Sequence, residues 1–316
     1  MNRYIAKRVL SAVPTLLGLS IVVFLLVRLV PGTVVEVMLG SEVEVTEEML
    51  LRLRSFFGLD QPVYVQYAGW IGRALQGDFG TSWRTGKPVA ELLLMRLAVT
   101  LQLTGGALVV ALSLGIPLGI VSALRENTNL DHIVRILGLI SLCMPIFWQA
   151  AMIILMLSRW FRWAPPVGYV DPVTDPLTNF RVMILPTIVL GTTVSASVMR
   201  MTRSCVLDVI RQNYIRTARA KGLREWAIVW THVLKNALIP VVTVVGLEVG
   251  RLLGGSVVTE EVFTLPGVGR LVLWAVYQRD YPVVQGTVLF IGTAFVTINL
   301  LVDLIYGYLD PRVCYD

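Results

Sequence analysis

Long apolar stretches dominate the chain. A helix needs about 20 mostly apolar residues to cross a bilayer core of roughly 30 Å. Five charge-free stretches reach or approach this length, and a sixth qualifies if one internal pair of opposite charges is allowed. They are Val9–Val27, Leu97–Leu124, Ile136–Ser158, Val182–Met199, Asn236–Thr259 and Tyr281–Val302. The pattern predicts an all-α membrane protein with six transmembrane helices.

Composition agrees with this prediction. The chain is 55% hydrophobic and 15% charged, whereas a soluble domain is about 25% charged. This excludes a soluble enzyme, a disordered chain and a fibrous repeat. The net charge of +6 does not call for a nucleic-acid partner, because membrane proteins collect Lys and Arg on their cytoplasmic side. We expect contact with membrane lipid and none with nucleic acid.

The distribution of basic residues predicts the orientation. Most of the basic excess falls inside if the N-terminus is cytoplasmic, and six spans return the C-terminus to the same side. We therefore expect a multi-pass protein of the cytoplasmic membrane. Its predicted parts are residues 1–30 (N-terminus and first helix), 31–96 (an extracytoplasmic element), 97–308 (the transmembrane core) and 309–316 (a cytoplasmic tail).

The extracytoplasmic segment Pro31–Arg96 carries mixed charge and several aromatic residues. A helix is predicted to begin near Thr46, which has the side chain of a helix cap. Aromatic side chains favour packing, since a solvated linker is rich in Gly, Ser and Pro. We predict a small ordered element over the outer mouth, with an irregular loop as the alternative.

The loop Arg200–Lys235 is strongly basic, and it contains a predicted amphipathic helix that ends near Gly222. Glycine suits the positive φ that often terminates a helix. The apolar side of the helix is formed by Tyr214, Ile215 and Ala218, and Arg216, Arg219 and Lys221 lie on its other sides. Two interpretations stay open from these residues alone: a helix that lies on anionic lipid, or one that docks on a partner.

The span Asn236–Thr259 contains two charged residues, Glu248 and Arg251. Their i,i+3 spacing lets them pair on one helix. Charges inside a span often mark a solute pathway, so the pair is predicted to line the translocation path. The alternative is a structural pair that faces neighbouring helices.

Catalytic and metal-binding motifs are absent from the sequence. It contains no G-x-x-x-x-G-K-[ST] loop, so the chain is not expected to bind ATP in the usual way. It also lacks H-E-x-x-H and C-x-x-C motifs. Both histidines, His132 and His232, fall on the predicted cytoplasmic side, outside the spans. We therefore expect no catalytic residues and no bound metal or cofactor.

A series of short motifs runs along nearly the whole chain. They are AKRVL (Ala6–Leu10), RLVPG (Arg28–Gly32), GLDQPVYVQY (Gly58–Tyr67), GDFGTS (Gly77–Ser82), YIRTARAKGL (Tyr214–Leu223), NALIPV (Asn236–Val241), GGSVVTEEVF (Gly254–Phe263), LPGVGR (Leu265–Arg270), RDYPV (Arg279–Val283) and LDPR (Leu309–Arg312). In these motifs and their order the chain resembles the permease subunit of the dipeptide/oligopeptide/nickel class of ABC importers.

The resemblance implies an assembly of one extracytoplasmic binding protein, two permeases and two ATPase subunits. This chain would pair with a second, homologous permease, and the ATPase subunits would bind ATP and Mg²⁺. The cytoplasmic helix would then couple the permease to an ATPase. The implied coupling residues are Tyr214, Arg216, Thr217, Ala218, Arg219, Lys221 and Gly222.

The coupling segment departs from the E-A-A-x-x-x-G signature of the family. Counting back from Gly222, the positions of Glu-Ala-Ala hold Arg216, Thr217 and Ala218. Only the second Ala and the Gly are kept, so a carboxylate contact with the ATPase is not implied.

Other functions stay open at this point. Within the same class, the chain could import nickel or another small solute. In a different class, an ion-coupled secondary transporter would use Glu248 or Asp303. A membrane-anchored enzyme is a third interpretation, for which the sequence offers no nucleophile or metal set.

Overall fold

The computed structural model describes residues 2–29 and 61–309. These residues are almost wholly helical, and among them extended pairing is limited to one isolated bridge between Thr81 and Pro88. The helices, numbered over the described residues, are α1 (Asn2–Leu29), α2 (Val63–Ala74), α3 (Val89–Leu124), α4 (Asn129–Cys143), α5 (Ile146–Phe161), α6 (Pro176–Ile210), α7 (Asn213–Ala220), α8 (Glu225–Ile228), α9 (Leu234–Gly255), α10 (Val257–Val262), α11 (Val268–Tyr277) and α12 (Tyr281–Leu309). A π-helical turn, Val229–Val233, joins α8 to α9.

Five helical segments in the described part are long and apolar enough to cross a membrane, and a bent pair, α4 with α5, brings the number to six if it counts as one span. The five segments are Arg8–Leu26, Val89–Leu124, Pro176–Ile210, Glu225–Gly254 and Tyr281–Ile305. The predicted class of all-α membrane protein is confirmed.

The predicted span Ile136–Ser158 is not one straight helix. It is divided between α4 and α5, and the helix axis bends by 110° between them. Met144 is extended there (φ −77°, ψ 127°), because a residue that precedes proline avoids the helical region. Pro145 also lacks the N–H that would bond the carbonyl of Ser141. The side-chain amide of Gln149 donates to that carbonyl instead, at 2.9 Å.

Most of the other spans are longer than their charge-free stretches. Helix α3 begins at Val89, so the predicted boundary at residue 97 falls inside a helix. Helix α6 extends beyond Val182–Met199 at both ends. Charged residues lie inside these helices, beyond the charge-free stretches: Glu91 and Arg96 near the start of α3, Arg181 near the start of α6, and Arg200, Arg203 and Asp208 towards its end. A search for uncharged stretches stops at these residues although the helix continues. The span predicted to end at Thr259 instead breaks at Ser256, between α9 and α10.

The centre of the molecule is the close packing of α3 against α6. A Cβ atom added at Gly115 would lie 2.8 Å from the carbonyl oxygen of Ser195, and one at Gly119 would lie 2.7 Å from that of Met199. Small residues allow such close backbone approach between membrane helices. Helix α12 packs against α1 on one side and α9 on the other. The pair α3–α6 therefore forms the packed core that α4, α5, α9 and α12 contact, and α1 attaches mainly through α12.

Two aromatic residues of the predicted extracytoplasmic element, Tyr67 and Trp70, pack on the first span. Tyr67 of α2 shares a hydrogen bond of 2.7 Å with Ser20 of α1. The ring of Phe24 lies 5.3 Å from that of Tyr67 and 5.7 Å from that of Trp70. Order is therefore present in residues 61–88, whereas the helix predicted near Thr46 lies outside the described residues.

Candidate coupling site

The predicted basic helix is present as α7 (Asn213–Ala220) and ends as its sequence indicates. Gly222 has a φ of +76°, and its N–H donates to the carbonyl of Arg219 at 2.9 Å. The N–H of Leu223 donates to the carbonyl of Ala218 at 3.4 Å. These two bonds form a Schellman motif, which turns the chain sharply after the helix. The predicted role of Gly222 as a positive-φ terminator is confirmed.

Two of the three predicted apolar residues seat α7 in the protein. Ile215 is fully buried and Ala218 is 8% exposed, and both belong to the main buried cluster together with Ala123 of α3 and Val206 of α6. Tyr214, one turn before Ala218, is less enclosed, and its side chain is 44% exposed. The phenol lies at the edge of the buried face, where its oxygen accepts a hydrogen bond of 3.1 Å from the side-chain amide of Asn236.

The three basic residues of the coupling segment are all exposed, but they differ in their partners. Arg219 forms a two-point ion pair with Glu225, with contacts of 2.8 and 3.3 Å. Within the described residues, Arg216 and Lys221 form no ion pair. The hydroxyl of Thr217 donates to the carbonyl of Asn213 on its own helix at 3.1 Å. The charges of Arg216 and Lys221 are thus exposed at the surface of the chain.

Asp131 and Arg203 form a buried ion pair that the sequence analysis did not predict. Asp131, in the first turn of α4, is fully buried. Arg203 of α6 reaches it with two parallel bonds of 2.8 Å, and Ser122 of α3 donates to it at 2.5 Å. A second, exposed pair links Glu126, in the loop after α3, to Arg211 after α6 at 2.8 Å. We call these five residues the Asp131 cluster.

Glu248 and Arg251 form the predicted pair on α9. The guanidinium contacts the carboxylate at 3.4 Å, with Glu248 11% exposed and Arg251 72% exposed. The acid faces into the bundle, whereas the base projects from it. The predicted pairing is therefore confirmed, and its role in a translocation path stays a prediction.

Two further buried carboxylates organise the segment between α9 and α12. The first, Glu260, accepts hydrogen bonds from the hydroxyls of Thr100 and Ser256, at 2.8 and 2.9 Å, and from the N–H of Arg270 at 3.0 Å. The Leu265–Arg270 turn wraps around this carboxylate, and a Cβ atom at its Gly267 would lie only 2.2 Å from the Glu260 side chain. Of these partners only Ser256 lies at helical spacing from Glu260, and nothing in the sequence pattern links Thr100 or Arg270 to it.

The second buried carboxylate, Asp280, plays a similar part beside α12. It accepts a hydrogen bond of 2.5 Å from the hydroxyl of Ser82 and another of 3.2 Å from the N–H of Trp83. The ring of Trp83 lies edge-on to that of Tyr281, with 5.6 Å between centroids. The segment before α3 is thereby fixed to the start of α12.

Comparisons of the sequence with family profiles and with known proteins agree on one family. The profile described as "Binding-protein-dependent transport system inner membrane component" matches residues 115–315, and the profile of the N-terminal part of such membrane components matches residues 1–104. The chain is 40% identical to the dipeptide transport system permease protein DppB of Alkalihalophilus pseudofirmus, over 100% of both chains. It is 39% identical to DppB of Escherichia coli K12, over 99% of both. It is 41% identical to a putative peptide transport system permease protein of Brucella abortus, over 100% of both.

These matches span the whole chain, and they agree with the helical architecture and with the motifs found in the sequence. They favour the importer interpretation over a secondary transporter or a membrane-anchored enzyme. The chain therefore belongs to the family of inner membrane components of binding-protein-dependent transport systems, and it is a multi-pass membrane permease of the ABC importer class.

Proposed function

We propose that the chain is one of two permease subunits of an importer that carries di- or oligopeptides across the cytoplasmic membrane. The observation that carries this proposal is similarity of about 40% identity, over full length, to permeases whose names specify peptides. Peptide is delivered at the outer face by a binding protein. ATP and Mg²⁺ are bound by two partner ATPase subunits, which supply the energy for transport.

Helix α7 is the proposed contact with an ATPase. Three features support this role: it is short, it is seated by the buried side chain of Ile215, and it presents the charges of Arg216 and Lys221. A rigid helix passes on a displacement, whereas a flexible loop absorbs it. Arg and Lys on its surface can form charge-assisted hydrogen bonds with acidic groups of the partner. This role places α7 and both chain termini in the cytoplasm.

Arg251 indicates which face of α9 meets the translocation path. Charged residues within spans are costly in lipid and usually face a protein interior or a water-filled cavity. Arg251 lies in the last part of α9 and is 72% exposed on the isolated chain. We infer that its face of α9 turns away from lipid, towards the second permease or the water-filled path between the two subunits. Glu248 holds the guanidinium in place.

The test is uptake of a labelled dipeptide by cells that carry or lack the gene for this chain, in the presence of competing solutes. The proposal expects uptake that needs the chain, stops when ATP is depleted and is competed by unlabelled peptides but not by Ni²⁺. Competition by Ni²⁺ alone would contradict peptide as the solute. Uptake that survives ATP depletion but collapses with the proton gradient would contradict ATP coupling.

A further inference from the structure

We propose that Asp131 and Arg203 are positioning residues for energy coupling. They fasten α6, which leads into α7, to α3 and α4, so that a displacement of α7 moves these spans as one body. The inference rests on the proposed function, because it requires α7 to receive an ATPase.

The joint between α6 and α7 is short. Only Arg211 and Gln212 separate the two helices, and both are hydrogen bonded to the last turns of α6. The N–H of Arg211 donates to the carbonyl of Leu207 at 3.3 Å, and that of Gln212 donates to the carbonyl of Val209 at 3.0 Å. A joint this short and this well bonded gives α7 no freedom to move without the end of α6.

Helix α6 is in turn connected to α3 and α4 through one carboxylate. The Nε and Nη2 atoms of Arg203 each lie 2.8 Å from one oxygen of Asp131. The remaining capacity of the carboxylate is taken by the hydroxyl of Ser122 on α3, at 2.5 Å, and by the N–H of Asn127, at 3.1 Å. Four bonds fill the acceptor sites of an ionised carboxylate. The spans α3 and α6 are therefore both bonded to a group that α4 carries.

Stability alone does not require this arrangement. Buried ion pairs cost desolvation, and apolar replacements of similar volume are often equally stable. The tight packing at Gly115 and Gly119 already holds α3 against α6. What a bidentate Arg–carboxylate pair adds is a fixed distance and orientation between its two helices. The exposed pair of Glu126 and Arg211 adds a second link between the end of α3 and the end of α6, next to α7.

The experiment uses the complete transporter, with both permeases, both ATPases and the binding protein, in proteoliposomes. Peptide uptake and ATP hydrolysis are measured on the same vesicles. Arg203→Lys keeps the charge but loses the two-point contact, and the double variant Asp131→Leu with Arg203→Met removes both charges while keeping apolar volume. For each we expect peptide carried per ATP to fall about two- to thirtyfold, the range typical of coupling residues. ATP hydrolysis and recovery of the ATPases with the permease are expected to persist.

The matched control is Lys87→Gln, which breaks the ion pair of Lys87 with Glu91 (3.1 Å) at the opposite end of α3. It should leave peptide carried per ATP unchanged. Wild-type ratios in both Arg203 variants, or an equal fall in the control, would overturn the positioning role while the ATPases still co-purify. Failure of the ATPases to co-purify with the wild-type chain would instead overturn the proposed function.

Discussion

Gly222 offers a substitution whose cost can be assigned to the backbone alone. Its φ is +76°, and no atom lies within 4 Å of the position of an added Cβ. Gly222→Ala therefore introduces no clash, and its cost is that of a left-handed conformation in an L-residue, about 1–2 kcal/mol. Gly222→Pro is more severe, because proline fixes φ near −65° and removes the N–H that bonds the carbonyl of Arg219.

A penalty of about 1–2 kcal/mol corresponds to roughly a 5- to 30-fold shift between the capped and uncapped ends of α7. Since Ile215 and Ala218 still anchor the helix, we expect the protein to insert and accumulate normally. Peptide carried per ATP should fall in the Ala variant and nearly vanish in the Pro variant. The assay is uptake and ATP hydrolysis in the same proteoliposomes.

The matched control is Gly86, which also has a positive φ (+68°) and open space around its Cβ position. It lies in the turn before α3, at the other end of that helix from the Asp131 cluster. Gly86→Ala carries the same backbone penalty and should leave coupling intact. Normal coupling in both Gly222 variants, or an equal loss in the Gly86 variant, would refute the assignment of α7 as the coupling helix.

Three further outcomes are expected. Gln149→Leu leaves the carbonyl of Ser141 unpaired at the bend between α4 and α5, and should lower the free energy of unfolding by about 1–3 kcal/mol. An unchanged melting temperature in detergent would contradict this. Arg251→Gln should lower peptide uptake while the ATPases still co-purify, and unchanged uptake would remove Arg251, with its partner Glu248, from the translocation path. The hydroxyl and the N–H of Thr178 hydrogen bond to the carboxylate of Asp175 and lower its pKa. The ionised carboxylate therefore stabilises the fold above the unfolded pKa of about 4, and this stabilisation is lost as the pH falls. Asp175→Asn keeps the helix cap, and its melting-temperature difference from wild type should vanish in acid; a difference independent of pH would contradict stabilisation by the ionised carboxylate.

The parts of the fold that depend on local pattern were predictable from sequence. The long apolar stretches located the spans, and the position of Gly222 after an amphipathic segment located the end of α7. The helix ends were misplaced because the helices continue past charged residues such as Arg96, Arg181 and Arg200, where the charge-free stretches stop. Pro145 was visible inside a predicted span, but a proline in a membrane helix is compatible with a straight helix, a kink or a break. Only the structure shows the 110° bend and the amide of Gln149 that completes it.

The parts that depend on distant contacts were not predictable. Asp131 and Arg203 lie 72 positions apart, and Thr100 and Glu260 lie 160 positions apart. Helical periodicity relates residues three or four positions apart and carries no information about such pairs. Glu248 and Arg251 lie within that local range, which is why their pairing could be inferred. The helical pattern groups Tyr214 with Ile215 and Ala218 but does not give its exposure, because a residue at the edge of a helix face can turn outward to a polar neighbour.

The role of the chain as an ATP-driven permease is tested most directly by affinity purification of the tagged chain from membranes in mild detergent, with all co-purifying proteins identified. We predict two ATPase subunits and a second, homologous permease in the eluate, and loss of the ATPases when the Arg216 and Lys221 charges of α7 are reversed. A homo-oligomer of this chain without any ATPase would contradict this role.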